Sequence, residues 1–188
     1  MSKAYIFLAN GFEEVEALAT ADVLIRSGIE AVLVSIDPSN ATVCGSHNIR
    51  VIADRCLNSA DSYDAAEFGD ADAVILPGGK KGTDNLAACG AVAETIKAYF
   101  NAGKLVCAIC AAPTVLAANG LLDGIRATCF PGFEDRLGKA EYVNEPVIVS
   151  GNIITGRSMG TAIDFGLMIA EKLISREQAE KTAANLHR

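Results

Sequence analysis

Cys110 is the residue whose type and position most clearly suggest chemistry. It ends the apolar segment KLVCAIC and precedes Ala111, Ala112 and Pro113, so a strand pattern leads directly into a helical one. A sharp strand-to-helix turn lifts one side chain above the end of a sheet, as in a nucleophile elbow. Backbone N–H groups at the start of a helix favour a thiolate, so the pattern predicts a lowered pKa for Cys110. The alternative is a small buried hydrophobic residue.

Cys107 and Cys110 have the CxxC spacing of a dithiol redox pair. If residues 107–109 are extended, the two α-carbons lie about 10 Å apart, at roughly 3.3 Å per residue. A disulfide requires a separation below about 7 Å. The spacing therefore favours Cys107 as a core residue, and all six cysteines are expected to be free thiols.

Glu16 lies in the second loop of interest, GFEEVE, which follows the first apolar run. Glu13 and Glu14 suit the start of a helix and are expected to face solvent. Two interpretations of Glu16 stay open. It is either solvated, or it points over the sheet edge toward Cys110, where burial and a nearby thiolate raise its pKa and make it an acid or base.

A third loop contains Gly78 and Gly79, directly after the apolar run AVILP. The N–H of Gly79, together with that of Ala111, would form an oxyanion hole, although a plain turn is the alternative. The following Lys80-Lys81-Gly82-Thr83 does not match the phosphate-binding pattern GxxxxGK[ST], which argues against nucleotide binding.

The elements that must position these loops alternate between strand and helix, which predicts an α/β fold with a mostly parallel sheet and helices on both faces. Strands are predicted at 5–9, 31–36, 73–76 and 104–109, with short strands within 42–57 and two or three within 125–155. Helices are predicted at 13–27, 84–101, 110–118, 161–174 and 176–185, and a helical turn or loop leads to residue 69. Because ligands bind at the carboxyl ends of such strands, loops 10–16, 77–83 and 110–113 are expected to share one site.

Length and composition limit the class of protein. The 188 residues are expected to form a single domain, and 51% apolar with 21% charged residues excludes intrinsic disorder. A net charge of −7 argues against a nucleic-acid partner. No apolar run is long enough to cross a membrane, and the N-terminus lacks a signal-peptide cleavage pattern, so a cytoplasmic protein is expected. The spacing of the two histidines and the cysteines predicts no metal site.

Four segments, GFEEVEA, ILPGGKKGTDNL, AICAAPTVLA and TGRSMGTAIDFGL, together resemble the DJ-one/ThiJ/PfpI superfamily, and specifically its DJ-one/ThiJ branch. The resemblance implies a flavodoxin-like three-layer sandwich that forms a homodimer. No cofactor is expected. It also implies that Cys110 is an oxidation-prone nucleophile with a low pKa, that a protonated Glu16 hydrogen-bonds to it, and that Gly79 and Ala111 supply the oxyanion hole.

The activities implied by the resemblance are those of a cysteine-dependent glyoxalase or deglycase. Such an enzyme acts without glutathione on small reactive dicarbonyls or on glycated adducts. The alternative is a non-enzymatic sensor of oxidative stress, or a chaperone, that uses the same oxidisable cysteine.

The chain departs from the family pattern at several positions. Phe130 stands where members often have a histidine before a proline, and Ala111 stands where the protease-like branch has one. No Cys–His dyad can be formed this way, so a Cys–His protease is disfavoured. Arg26 and Arg157 match family positions that line an anion-binding region at the site or dimer edge. A third family arginine is replaced by His47, which is a candidate dimer contact.

Overall fold

Strands and helices alternate along the chain in a computed structural model that describes residues 1–61 and 68–188. The strands are β1 (Lys3–Leu8), β2 (Glu30–Ser35), β3 (Thr42–Cys44), β4 (Arg50–Ile52), β5 (Arg55–Cys56), β6 (Ala73–Leu76), β7 (Leu105–Ile109), β8 (Arg126–Ala127), β9 (Glu141–Tyr142), β10 (Val147–Ser150) and β11 (Ile153–Gly156). The helices are α1 (Glu14–Arg26), α2 (Lys80–Ala88), α3 (Gly90–Asn101), α4 (Pro113–Ala118), α5 (Ala162–Leu173) and α6 (Arg176–Asn185).

The main sheet has the strand order β10-β11-β7-β6-β1-β2-β5 within the described residues. All of its neighbouring strands pair in parallel except β10 and β11, which form an antiparallel hairpin. Parallel strands need crossover connections, and these connections place helices over the faces of the sheet. The carboxyl ends of β1, β6 and β7 therefore meet at one edge, as the sequence predicts.

Side chains of the central strands alternate between two apolar cores. Ile6 and Ile75 contribute to the core beneath α1 and α5. Phe7 and Val74 contribute to the core beneath α2, α3 and α4. Because successive side chains of a strand point to opposite faces, these runs are apolar throughout. The predicted flavodoxin-like three-layer sandwich is confirmed.

The helix predicted at 84–101 is wrong as a single element, because the chain forms two helices joined at Cys89. Cys89 is extended, with φ −88° and ψ 112°. Its thiol donates to the carbonyl of Ala60 at 3.3 Å, and Gly90 lies so close to Asp61 that a Cβ there would be 2.7 Å from a carbonyl oxygen. This break depends on a contact with a distant segment, so helical periodicity alone does not reveal it.

Residues 125–155, all of which the structure describes, contain four short strands rather than two or three. The predicted short strands within 42–57 are present. The predicted helical turn or loop before residue 69 falls partly on 62–67, which lie outside the described residues. Among the described helices, none combines the length and apolar character that a bilayer span requires.

Candidate functional site

Cys110 forms the sharp turn between β7 and α4 that the sequence predicts. Its φ is +66°, a left-handed value that costs a residue other than glycine about 1–3 kcal/mol. Two hydrogen bonds hold it there. Its N–H donates to the carbonyl of Gly156 at 2.9 Å, and its own carbonyl accepts the N–H of Phe130 at 2.8 Å. Neighbouring backbone on two sides therefore fixes the position of the sulfur.

The loop after β6 brings backbone donors to this sulfur. The N–H groups of Gly79 and Ala111 interact with the half-buried Cys110 thiol and favour its ionised form. Gly78 lies between the two reactive side chains. A Cβ at this position would be 2.7 Å from Cys110 Cβ and 2.7 Å from Glu16 Oε2. The double glycine after a buried strand indicates such a close approach of the backbone, and the structure shows that Gly78 is the residue that the approach requires.

Glu16 is almost fully buried in the first turn of α1, with 1% of its surface exposed. Its backbone N–H donates to the carboxylate of Glu13 at 2.7 Å, which starts the helix. Its Oε2 accepts the N–H of Gly78 at 2.8 Å. Its Oε1 is also buried but makes no hydrogen bond of good geometry within the described residues. Of the two interpretations open at the sequence level, the structure supports the one in which Glu16 faces Cys110.

The carboxyl of Glu16 is about half-protonated near pH 7. Burial raises its pKa to about 7, and the charge of Glu13 acts in the same direction. The Cys110 thiol and the N–H groups of Gly78 and Met159 oppose this shift by favouring the carboxylate. The side chain can therefore release or accept a proton near neutral pH.

The prediction of a lowered pKa for Cys110 is wrong, although the N–H group at the start of the α4 turn acts in the predicted direction. Burial raises the pKa of this thiol, and the charge and hydrogen bond of Glu16 raise it further, against the N–H groups of Gly79 and Ala111. The charge of Glu16 opposes a thiolate only while Glu16 is ionised. The two side chains therefore titrate as a coupled pair, in which a thiolate is best accommodated when Glu16 carries the proton.

Cys107 occupies the interior, as predicted. It lies within β7 and is fully buried in the core beneath α1 and α5. Burial raises the pKa of its thiol. A reactive role is therefore limited to Cys110 within the CxxC pair.

The two arginines implied by the resemblance have other partners in the chain. Arg157 follows the residue that binds the N–H of Cys110, but its guanidinium donates to Asn144 at 2.8 Å. Arg26 ends α1, about 15 Å from Glu16 along the helix axis at 1.5 Å per residue, and pairs with Asp22 at 2.6 Å. Within one chain the structure does not bring Arg26 to the cysteine, and the anion-binding role of both arginines stays a prediction.

Glu14 is buried, which contradicts the expectation that it faces solvent. Its Oε1 accepts the N–H of His47 at 2.6 Å, and its Oε2 lies 3.0 Å from Ser46 Oγ and 2.9 Å from His47 Nδ1. Burial alone would raise the pKa of Glu14, but the hydrogen bonds from His47 and Ser46 lower it to about 2. Glu14 thus anchors the loop between β3 and β4 as a carboxylate.

The same cluster is the place in the described residues where a metal ion is sterically conceivable. Glu13, Glu14 and His47 offer ligand atoms within 4.8 Å of one another. However, both oxygens of Glu14 accept hydrogen bonds from the loop, and Glu13 accepts one from the start of α1. These hydrogen bonds explain why the three side chains lie together: they attach the loop between β3 and β4 to α1.

Comparison with known proteins identifies the family to which the chain is related. The model of the DJ-1/PfpI family matches residues 2–172. Protein dj-1beta of Drosophila melanogaster is 36% identical over 191 residues, which cover 99% of this chain and 97% of that protein. A Caenorhabditis elegans protein named glutathione-independent glyoxalase DJR-1.2 is 35% identical over 172 residues, covering 90% of this chain and 86% of that protein.

Solved structures show the same relationship. The crystal structure of Drosophila melanogaster DJ-1beta superposes with a TM-score of 0.91. It is 35% identical to this chain, and the match covers 99% of this chain and 98% of that one. Sequence and fold agree over essentially the whole length. The chain therefore belongs to the DJ-1/PfpI family.

Proposed function

We propose that the protein converts α-oxoaldehydes such as methylglyoxal into 2-hydroxy acids without glutathione. The observation that carries this proposal is the contact between the Cys110 thiol and the buried carboxyl of Glu16, whose pKa is raised to about 7. A nucleophile and a proton carrier at one point are what the isomerisation of an α-oxoaldehyde requires. The relative named glutathione-independent glyoxalase supports the same assignment.

In the first step, the sulfur of Cys110 attacks the aldehyde carbon of the substrate. A carbon–sulfur bond forms while the electron pair of the carbonyl moves to its oxygen. The N–H groups of Gly79 and Ala111, which already interact with the sulfur, would stabilise this negative oxygen. The oxygen then takes the proton that the pair releases, and a hemithioacetal results.

In the second step, the carboxylate of Glu16 removes the remaining hydrogen of the former aldehyde carbon as a proton. It returns this proton to the neighbouring ketone carbon, while the hydroxyl proton passes from the first oxygen to the second. The product is a thioester of a 2-hydroxy acid, which water hydrolyses to regenerate Cys110. One carbon is oxidised and its neighbour is reduced, so no external oxidant is needed. The same addition to a carbonyl would allow action on early glycation adducts.

The experiment is a measurement of lactate formed from methylglyoxal in the absence of glutathione. The Cys110→Ser variant is expected to lose the activity, because it lacks the attacking sulfur. The matched control is Cys56→Ser, a half-buried cysteine in β5, from which β7 is separated by β6, β1 and β2. The control is expected to retain activity. Lactate formation by Cys110→Ser at the wild-type rate would contradict the proposal.

A second candidate function is redox sensing through the same sulfur, favoured by the donors that surround it. The N–H groups of Gly79 and Ala111 would hydrogen-bond to the oxygens of a sulfinate at Cys110. Intact-mass and peptide analysis after mild peroxide is expected to show two added oxygen atoms confined to Cys110. Oxidation spread evenly over the other cysteines would count against this role.

A further inference from the structure

Two exposed apolar side chains are attached to the backbone that contacts the reactive pair. Phe130 is 42% exposed and Met159 is 50% exposed. The N–H of Phe130 donates to the carbonyl of Cys110 at 2.8 Å. The N–H of Met159 interacts with the carboxyl of Glu16. Single exposed apolar residues are ordinary, but here one adjoins each member of the same pair.

Both side chains belong to well-supported turns. The ring of Phe130 packs edge-to-face on Phe133, with ring centroids 6.3 Å apart, and the guanidinium of Arg136 lies 5.3 Å from the centre of the Phe133 ring. Met159 begins a single turn of 3₁₀ helix that Ser158 and Thr161 close with reciprocal hydrogen bonds. The two side chains are therefore presented by fixed backbone rather than by loose loop tips.

An apolar surface beside a nucleophile discriminates among substrates by the group they carry next to the reacting carbonyl. Burying apolar surface contributes about 25 cal/mol per Å². A phenyl or branched alkyl group presents much more apolar surface to such side chains than a methyl group does. A polar sugar chain would lose water at this surface without gaining a hydrogen bond from either side chain.

We propose that Phe130 and Met159 form an apolar rim that selects α-oxoaldehydes bearing an aromatic or bulky alkyl group. This inference rests on the proposed function and adds its substrate class. The covalent steps are those given above, with the bulky group in place of the methyl group of methylglyoxal. Phe130 and Met159 contribute binding surface and take no part in proton transfer.

The first test compares initial rates for phenylglyoxal, which yields mandelate, and for methylglyoxal, which yields lactate. Phe130→Ser is expected to lower the ratio of kcat/KM for phenylglyoxal to kcat/KM for methylglyoxal about tenfold. Phe130→Leu is expected to keep most of the activity on phenylglyoxal, because it restores apolar surface. Met159→Ser is expected to shift the same ratio by a smaller factor. The control is Ile174→Ala, at a 44% exposed residue that follows α5 near Ser2 at the amino end of β1.

The second test does not depend on turnover. Alkylation of Cys110 by N-phenylmaleimide and by N-methylmaleimide is followed by peptide mass analysis. The wild type is expected to favour the phenyl reagent, and Phe130→Ser is expected to lose this preference, while Ile174→Ala keeps it. If the wild type forms no hydroxy acid but the alkylation preference behaves as expected, the proposed function fails and the rim stands.

Other outcomes overturn the rim itself. If Phe130→Ser slows both aldehydes equally and leaves the alkylation ratio unchanged, the rim is wrong while the proposed function stands. If Phe130→Ser instead changes the oligomeric mass in solution, the side chain serves a contact between copies of the chain, and the selection of substrate by this residue is refuted.

Discussion

Glu14 and Glu16 lie two residues apart in the first turn of α1, and the pKa values of their carboxyls are shifted in opposite directions. Both are buried, with 3% and 1% of their surfaces exposed. The pKa of Glu14 is lowered to about 2, whereas that of Glu16 is raised to about 7. Burial raises the pKa of each, but Glu16 lies much deeper in the protein and is also repelled by the charge of Glu13, so burial, charge and hydrogen-bond partners all contribute to the difference.

The partners differ in number and in charge. Glu14 receives hydrogen bonds from the backbone and ring of His47 and from Ser46, which fix it as a carboxylate. Glu16 receives one good hydrogen bond, from Gly78, and its second oxygen is left without one within the described residues. A carboxylate whose two oxygens both accept hydrogen bonds can hold a loop in place. A carboxylate that accepts fewer hydrogen bonds can exchange a proton with a neighbouring thiol. Deeper burial and fewer hydrogen-bond donors thus leave Glu16, and not Glu14, able to exchange a proton near neutral pH.

The largest expected effect is on catalysis. Glu16→Gln keeps the shape of the side chain but cannot carry a proton between carbon atoms. Hydroxy-acid formation is expected to fall at least ~100-fold, the usual contribution of a general acid–base group. Alkylation of Cys110 at pH 8 is expected to be no slower than in the wild type, because the charge that opposes the thiolate is removed. A parallel loss of both rates would assign Glu16 to thiolate formation alone.

The same variant is expected to make the protein more stable at high pH. The folded-state pKa of Glu16 lies above its ordinary value of 4.5, so its ionisation destabilises the fold as pH rises from about 4.5 to about 7. Removing the charge should therefore add on the order of 3 kcal/mol to the unfolding free energy at pH 8 and almost nothing at pH 4. Urea unfolding at both pH values measures this. A Glu16→Gln protein that is less stable than the wild type at pH 8 would contradict the claim that ionised Glu16 destabilises the fold.

Glu14→Gln is expected to have the opposite sign. The folded-state pKa of Glu14 is below its ordinary value, so the stabilisation it provides is present above about pH 4.5 and is lost as pH falls toward 2. Replacing the carboxylate should lower the unfolding free energy at pH 7 by about 2 kcal/mol, as a buried charged acceptor is lost. The loss is expected to shrink at low pH. An unchanged stability at pH 7 would show that the loop does not depend on Glu14.

The smallest expected effect belongs to His47→Ala, since its exposed ring is one of several donors to Glu14. Glu14 raises the pKa of His47, so the ring stabilises the fold most below the ordinary histidine pKa and less as pH rises through the folded-state value. The variant should lose less stability than Glu14→Gln, and the loss should fade from pH 6 to pH 9. Urea unfolding across this range checks the trend.

The sequence predicted what depends on local pattern. Cys110 follows an apolar strand and precedes a helix, so its sharp turn could be foreseen, as could the sheet and the core position of Cys107. The burial of Glu14 could not, because its partner His47 lies on a hairpin that reaches α1 only in the folded chain. The raised pKa of Cys110 has the same origin: burial and the approach of Glu16 are tertiary effects that outweigh the short helix α4.

The most direct measurement of the difference between the two carboxyls is a side-chain carbon NMR titration, with Glu14→Gln and Glu16→Gln used to assign the signals. Glu16 is expected to be half-protonated near pH 7, while Glu14 stays ionised until about pH 2. If Glu16 titrates at or below its ordinary value of 4.5, or if both residues titrate together, the account of a proton-carrying Glu16 beside Cys110 is contradicted.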